Sequence, residues 1–108
     1  MRVQISARHC DVDDPVRERT REQMVRLRRY DSRVSAADVV FKEEKRVRIV
    51  EAVLSMDGSD PVVAHGAGED FRVAVDQVVD RLARILRRRR GRDRDHQVPR
   101  PVQAPASD

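Results

Sequence analysis

The stretch Phe71-Arg-Val-Ala-Val-Asp-Gln-Val-Val-Asp-Arg-Leu-Ala-Arg-Ile-Leu86 decides the fold of this chain of 108 residues. Its apolar residues recur every three or four positions, which is the spacing of one face of an α-helix. Glu69 or Asp70 begins this helix, and we expect it to end around residues 88–90, before Gly91. A helix with so broad an apolar stripe must bury that stripe against another layer of structure.

The segments around this helix predict that layer. Residues alternate in polarity over 2–8, 37–43, 46–56 and 62–67, which is the period of a strand with one buried face. Glu44-Lys45 is a candidate tight turn between the second and third strands, and the cluster 57–61 is a turn between the third and fourth. The last three strands should therefore be joined by hairpins.

A shorter helix is predicted between the first two strands. Asp13 or Asp14 is a suitable N-cap, and Pro15 fits the first turn that follows. A narrow apolar stripe runs toward Tyr30 and consists of Val16, Thr20, Met24 and Leu27. So narrow a stripe indicates a helix that lies on the surface of the domain.

The predicted fold class is α+β, with the order β-α-β-β-β-α, a four-stranded mixed sheet and both helices packed on one face. The first helix is a crossover, so strands one and two should be parallel. We expect one domain over residues 1–90. The segment 91–108 is basic and then rich in proline, and it is predicted to be a disordered tail or a linker stub.

The net charge of +4 conceals a strong separation of charge along the chain. Residues 15–34 carry +4 and residues 81–94 carry +7, whereas residues 35–80 carry −5. Such separation favours a large polyanion as the binding partner. The chain has only three aromatic residues, so a nucleic acid would have to be held mainly by its phosphates and its groove shape.

Few residues suggest other chemistry. Cys10 is the only cysteine, and neither it nor His9 or His65 has the neighbours that a catalytic set or a metal site requires. No phosphate-binding glycine motif is present. We expect no enzymatic activity, no cofactor, no metal and no small-molecule substrate. The amino terminus lacks the apolar segment of a signal peptide, and no apolar stretch is long enough for a membrane, so a cytoplasmic protein is expected.

Arginines form rows on both helices. On the second helix, Arg81, Arg84 and Arg88 follow Gln77 along one flank, while the other flank carries Asp76, Asp80 and Ala83, with Arg87 near them. On the first helix one flank carries Arg19, Arg26 and Arg29, and the other carries Arg17, Arg21 and Arg28. Two adjacent arginine rows could grip the phosphates of folded RNA, since the guanidinium fork matches phosphate oxygens. The alternative is that both rows are solvated faces without a ligand.

The order of these segments resembles the family of ribosome hibernation promoting factors and ribosome-associated translation inhibitors. The resemblance covers roughly residues 2–90 and is carried by the opening strand Val3-Gln-Ile-Ser-Ala-Arg-His9, by Met24-Val-Arg-Leu-Arg-Arg-Tyr30 with Arg33-Val34, by the hairpin Glu44-Lys45, and by Glu69-Asp70, Val75-Asp76 and Val79-Asp80-Arg81-Leu82. The chain departs from the family pattern at Gln23, a position that is commonly basic, and at Phe71-Arg72-Val73.

The resemblance implies a fold like that of double-stranded RNA-binding domains. It also implies a protein that occupies the decoding channel of the small ribosomal subunit and blocks mRNA and tRNA in stress or stationary phase. The implied rRNA contacts are Arg26, Arg29, Arg81, Arg84 and Arg88, together with Arg8 and Arg87. A monomer is expected unless the chain belongs to a longer form with the family's dimerising domain.

Two other functions remain open at the level of sequence. One is a generic module that binds double-stranded nucleic acid, and the other is a protein-interaction module that sequesters an acidic partner.

Overall fold

The computed structural model describes residues 1–97, with side chains through Arg92. The elements are β1 (Arg2–Arg8), α1 (Asp14–Arg26) followed by a 3₁₀ turn (Leu27–Arg29), β2 (Val34–Glu44), β3 (Val47–Met56), β4 (Ser59–Gly68) and α2 (Phe71–Gln97). The predicted order β-α-β-β-β-α is confirmed.

The four strands form one mixed sheet in the order β1-β2-β3-β4. β1 pairs with β2 in parallel, and the two remaining pairs are antiparallel. The parallel pair follows from α1, which carries the chain back to the end of the sheet where β1 began. The two hairpins then add β3 and β4 in turn on the side of β2 away from β1.

Alternate residues of each strand point to the helices and form the core. Phe41, Val50 and Leu54 are fully buried there, beneath the apolar stripes of both helices. Phe71 opens α2 and meets Phe41 edge to face, with ring centroids 5.1 Å apart. The stripe predicted for α2 is confirmed, since Ala74, Val75, Val78, Leu82 and Leu86 have no exposed surface.

Both helix starts are capped by aspartates. The Asp13 side chain accepts a hydrogen bond from the Val16 backbone N–H at 3.2 Å, and Asp70 accepts one from Val73 at 2.9 Å. Thr20, the polar residue of the narrow α1 stripe, is completely buried, and its hydroxyl donates to the Val16 carbonyl at 2.7 Å. That bond lets a polar side chain lie in the core without an unsatisfied group.

Two boundaries differ from the sequence prediction. The β2–β3 turn consists of Lys45 and Arg46, one residue later than predicted, and both have positive φ, at 50° and 69°. Positive φ at two central residues matches the twist of a hairpin but is usually signalled by Asn or Gly, which are missing here.

Helix α2 continues past the predicted end to Gln97. Gly91 does not stop it, because an exposed glycine costs a helix only about 1 kcal/mol relative to alanine and its neighbours are mostly good helix formers. The predicted tail is therefore helical over 91–97, and residues 98–108 lie outside the described residues.

α2 lies along β4, one of the two edge strands of the sheet, and its side chains form hydrogen bonds with the backbone of that strand. The side-chain amide oxygen of Gln77 accepts a hydrogen bond from the Ala67 backbone N–H at 3.0 Å, and the Arg81 guanidinium donates to the His65 backbone carbonyl. Arg89 donates to the carbonyls of Asp60 at 2.6 Å and Pro61 at 3.1 Å. These bonds fix the position of α2 along the strand.

The opposite face of the sheet is open. Val53 and Val63 are paired neighbours there and are 37% and 50% exposed. Beside them Glu51 forms an ion pair with Lys42 at 3.1 Å, and its carboxylate lies 3.6 Å from the Nε2 atom of His65. No helix in the described residues combines the length and the apolar content that crossing a membrane would require.

Gly66 permits the close approach of α2 to β4. A Cβ at this position would lie 2.4 Å from the Ala74 carbonyl oxygen and 2.9 Å from a Val78 methyl group. We expect Gly66→Ala to lower the free energy of unfolding by about 1–3 kcal/mol, the usual cost of overpacking, as measured by urea denaturation.

Gly91→Ala is the matched control, since nothing lies within 4 Å of a Cβ at that position. The control should stabilise the protein by about 0.5–1 kcal/mol, because alanine favours a helix more than glycine does. Equal effects of the two substitutions would contradict the close contact at Gly66.

Candidate nucleic-acid interface

The two helices run side by side in the same direction. Arg19 of α1 forms an ion pair with Asp76 of α2 at 3.0 Å. In the same direction along both segments, the guanidinium carbon of Arg87 lies 5.4 Å from the centroid of the Tyr30 ring, directly after the 3₁₀ turn. Each partner of the second contact comes 11 residues after the corresponding partner of the first. Their carboxyl-terminal halves, which carry most of the arginines, therefore lie at the same end of the molecule.

A groove of about 290 Å³ separates the helices at this end. We call it the inter-helix groove; it is lined by Gln23, Arg26, Leu27, Arg29, Tyr30, Asp76, Val79, Asp80, Ala83 and Arg87. Its floor is apolar and its rim is charged. A chain of phosphates could lie along such a rim without entering the core.

The carboxylates of this groove are already paired. Asp76 bonds to Arg19, and Asp80 forms an ion pair with Arg84 on the same helix. Among the described side chains, no carboxylate pairs with Arg26, Arg29 or Arg87. The groove thus presents three arginines that form no ion pair with an acid in the described part of the chain.

A second groove, of about 330 Å³, lies on the other flank of α2 against β4. We call it the edge groove; it is lined by Val63, Ala64, His65, Arg81, Arg84, Ile85 and Arg88. Arg81 and Arg84 are held by the His65 carbonyl and by Asp80, whereas Arg88 has no ion-pair partner among the described side chains. This groove is also basic, but its basic wall is partly committed to structure.

The structure divides the predicted site residues into three places. Arg26, Arg29 and Arg87 line the inter-helix groove, and Arg81, Arg84 and Arg88 line the edge groove. Arg8 lies at the far end of the sheet, exposed on its open face in register with Lys42. The two arginine rows therefore do not face each other, because α2 turns its acidic flank toward α1 and its arginine row toward β4.

The run Arg87-Arg-Arg-Arg90 shows why the rows diverge. Successive residues of a helix point about 100° apart, so four consecutive arginines face four directions. Arg87 reaches Tyr30, Arg88 enters the edge groove, and Arg89 anchors the β3–β4 hairpin. Only part of this charged run is thus available to a ligand.

Tyr30 is a site residue that the sequence prediction missed. The guanidinium carbons of Arg29 and Arg87 lie 5.5 and 5.4 Å from the centroid of its ring. The other two aromatic rings are buried in the core, whereas Tyr30 is only partly buried. A signal was present in the sequence, since Tyr30 is the one aromatic residue that follows an arginine-rich helix.

A buried ion pair fixes the chain immediately after Tyr30. The Asp31 side chain has no exposed surface and accepts bonds from the Arg33 guanidinium at 2.7 and 3.0 Å and from the Arg33 backbone N–H at 3.0 Å. The hydrogen bonds from Arg33 hold the pKa of Asp31 below its ordinary value of 3.8, although burial alone would raise it. The positive charge of Arg90 also lowers this pKa. The bend from α1 into β2 is thereby locked.

The remaining titratable candidates are dispersed. Cys10 is half-buried, and its thiol donates to the Phe41 carbonyl at 3.5 Å. In the part of the chain that the structure describes, no three His, Cys, Asp or Glu side chains come together as a potential metal site.

The chain is similar to proteins of one family. A family model described as Sigma 54 modulation protein / S30EA ribosomal protein matches residues 3–94. The ribosome hibernation promoting factor of Pseudomonas putida is 34% identical over 88 residues, which cover 82% of this chain and 85% of that protein. The factor of the same name from Azotobacter vinelandii is 33% identical over 106 residues, covering 97% and 98%.

Solved structures share the fold. A ribosomal subunit interface protein from Coxiella burnetii aligns with a TM-score of 0.77 at 23% identity, over 84% of this chain and 99% of that one. The N-terminal domain of Protein Y from Thermus thermophilus aligns with a TM-score of 0.72 at 24% identity, over 82% and 98%. At such identities the alignments support the architecture alone.

We expect Asp31→Asn to lower the free energy of unfolding by about 1.5–3 kcal/mol at about pH 7, the range for hydrogen bonds to a charged group. Because the folded-state pKa lies below 3.8, the carboxylate stabilises the protein above that value, and this contribution is lost as the pH falls through the folded-state pKa. Urea denaturation of both proteins between about pH 7 and about pH 3 would measure the difference.

Asp11→Asn, at an exposed carboxylate, is the control and should change stability little at either pH. A difference between wild type and Asp31→Asn that stays constant over this pH range would show that the buried charge contributes nothing.

Proposed function

Because the chain belongs to the Sigma 54 modulation protein / S30EA ribosomal protein family, we propose that it is a ribosome hibernation factor. It binds the rRNA of the small subunit in the decoding channel and inhibits translation by occupying the space that mRNA and tRNA need. No bond is made or broken in this mechanism, so the protein is not an enzyme and uses no cofactor. It acts in the cytoplasm during stress or stationary phase.

The observation that carries this proposal is the concentration of unpaired arginines at one end of the helical layer. Arg26, Arg29 and Arg87 have no acidic partner among the described side chains, and Arg88 continues the positive surface around α2. Uncompensated like charges destabilise a folded protein through mutual repulsion. Binding to a polyanion removes that repulsion and releases the counterions of the RNA.

The two grooves would serve one ligand. They lie on the two flanks of α2, so an RNA that lies across the exposed face of this helix would place phosphates in both. Arg8, at the far end of the sheet, lies outside this surface and would be reached only by RNA that wraps onto the open sheet face. The ribosome-binding domain comprises residues 1–90 together with the helical extension of α2.

A sucrose-gradient profile of a translating extract, with and without the protein, tests the proposal. The protein should sediment with small subunits or whole ribosomes and should reduce the polysome fraction. Competition by a plain RNA duplex separates it from a generic nucleic-acid module, which would bind the duplex as tightly as it binds the ribosome. Absence from all ribosomal fractions would instead favour an acidic protein partner.

Charge reversal should separate binding from folding. We expect Arg84→Glu combined with Arg88→Glu, and separately Arg26→Glu combined with Arg87→Glu, to weaken small-subunit binding by at least about tenfold each, since each variant removes two charge-assisted contacts worth about 1.5–3 kcal/mol apiece. Filter binding or gradient co-sedimentation would measure the affinity, and circular dichroism would check the fold.

Lys45→Glu with Arg46→Glu is the matched control, because it makes the same change in net charge at the exposed β2–β3 turn, at the opposite end of the molecule. The control should bind nearly as well as wild type. A loss equal to that of the helix variants would mean that net charge, and not the two grooves, determines affinity.

Salt dependence follows from the same contacts. About six arginine–phosphate contacts should reduce the affinity on the order of 10³-fold between about 50 and about 200 mM salt. Binding isotherms of the wild-type protein with small subunits across this range would measure it, and an affinity independent of salt would exclude the phosphate-based grip.

A further inference from the structure

We propose that Tyr30 is a positioning residue that holds Arg29 and Arg87 together as a clamp for the phosphates of one RNA strand in the inter-helix groove. This inference rests on the proposed RNA-binding function and specifies which residue organises it.

Two cations from different elements of the fold contact the Tyr30 ring. Arg29 ends the 3₁₀ turn after α1, and Arg87 comes from α2, 58 residues later in the chain. Both guanidinium carbons lie within 5.5 Å of one ring centroid, so they lie within twice that distance of each other. No carboxylate of the described part bridges them. Attraction between each cation and the ring's electron-rich π-system is therefore the interaction that brings both cations to the same place.

The Tyr30 ring is held in a fixed position. Tyr30 packs against the core, and its backbone N–H donates to the Leu27 carbonyl at 3.0 Å. The next residue, Asp31, is locked by Arg33, and the Arg33 carbonyl accepts from the Asp57 N–H at 2.8 Å. The chain on both sides of Tyr30 is thus tied to the rest of the fold. A fixed ring gives two flexible arginine side chains a defined place.

The guanidinium groups of Arg29 and Arg87 can bind phosphate while they lie over the ring. A guanidinium over an aromatic face keeps N–H groups at the edge of its plane, where they can donate to phosphate oxygens. Contact with Tyr30 therefore leaves the phosphate-binding capacity of Arg29 and Arg87 intact. Holding the side chains in place before binding reduces the conformational entropy lost on binding.

A double-mutant cycle tests this role against simple packing. Tyr30→Leu removes the π-system but keeps an apolar side chain, and Arg87→Gln removes one cation of the clamp. We expect Arg87→Gln to weaken small-subunit binding by about tenfold in the wild-type background but by less than about threefold in the Tyr30→Leu background, because the residues act as a unit. Tyr30→Phe keeps the ring and should bind within about twofold of wild type.

Arg88→Gln is the matched control, since Arg88 neighbours Arg87 in sequence but lines the edge groove. It should weaken binding equally in both backgrounds. Additive effects of Tyr30→Leu and Arg87→Gln would overturn the positioning role while leaving the proposed function intact. If instead neither Arg87→Gln nor Arg88→Gln affects binding, the proposed function itself fails.

A second measurement requires no substitution at Tyr30. The chain has one tyrosine and no tryptophan, so its intrinsic fluorescence reports on Tyr30 alone. Arg29→Gln and Arg87→Gln should each increase quenching by acrylamide, because each uncovers part of the ring, whereas Arg88→Gln should leave quenching unchanged. Equal quenching in all of these proteins would overturn the clamp even if Tyr30→Leu failed to fold.

Discussion

The contact of α2 with β3 and β4 is the constraint on which the rest of the structure depends. Gly66 allows the helix backbone to approach the edge strand, and Gln77, Arg81 and Arg89 then fix its position along that strand. Once the helix is seated in this way, the direction of every later side chain follows from its helical geometry. The difference between an arginine that lines a groove and one that anchors a hairpin is therefore a matter of one position along the helix.

Charge in this protein is organised by pairing. Of the acids that face the inter-helix groove, Asp76 pairs with Arg19 of α1 and Asp80 pairs with Arg84, which lines the edge groove. Among the described side chains, the arginines inside the inter-helix groove are left without acidic partners. Exposed ion pairs contribute little to stability, typically less than about 1 kcal/mol each. Their effect here is to determine which parts of the surface carry unpaired positive charge. The buried pair of Asp31 and Arg33 differs, because it fixes the backbone beside the groove.

The sequence predicted the elements that depend on periodicity and capping. The strands, the α2 stripe and the aspartate caps follow from patterns within a few residues, and the structure confirms them. It did not predict the residues of the β2–β3 turn, since Lys45 and Arg46 adopt positive φ without the usual turn residues. Gly91 misled the prediction of the helix end because a glycine on an exposed helix carries only a small penalty.

The site was harder to predict than the fold, for a physical reason. Helical periodicity shows which residues share a flank, but which neighbour that flank meets depends on tertiary packing. Both arginine rows were identified, yet the row of α2 faces β4 and not α1. Tyr30 contacts Arg87, which is distant in sequence, and the ion pair of Asp31 is distinguished by its burial. Neither feature produces a periodic pattern in the sequence.

The hydrogen bonds between α2 side chains and the β4 backbone have a consequence for the behaviour of the protein at high concentration. The outer strand of a sheet is normally a template on which a second molecule can add its own strand, which leads to aggregation. Here the carbonyls and amides of that strand are partly occupied by helix side chains, and Pro61 has no amide hydrogen to offer. Arg81 and Arg89 thus also protect this edge of the sheet from self-association.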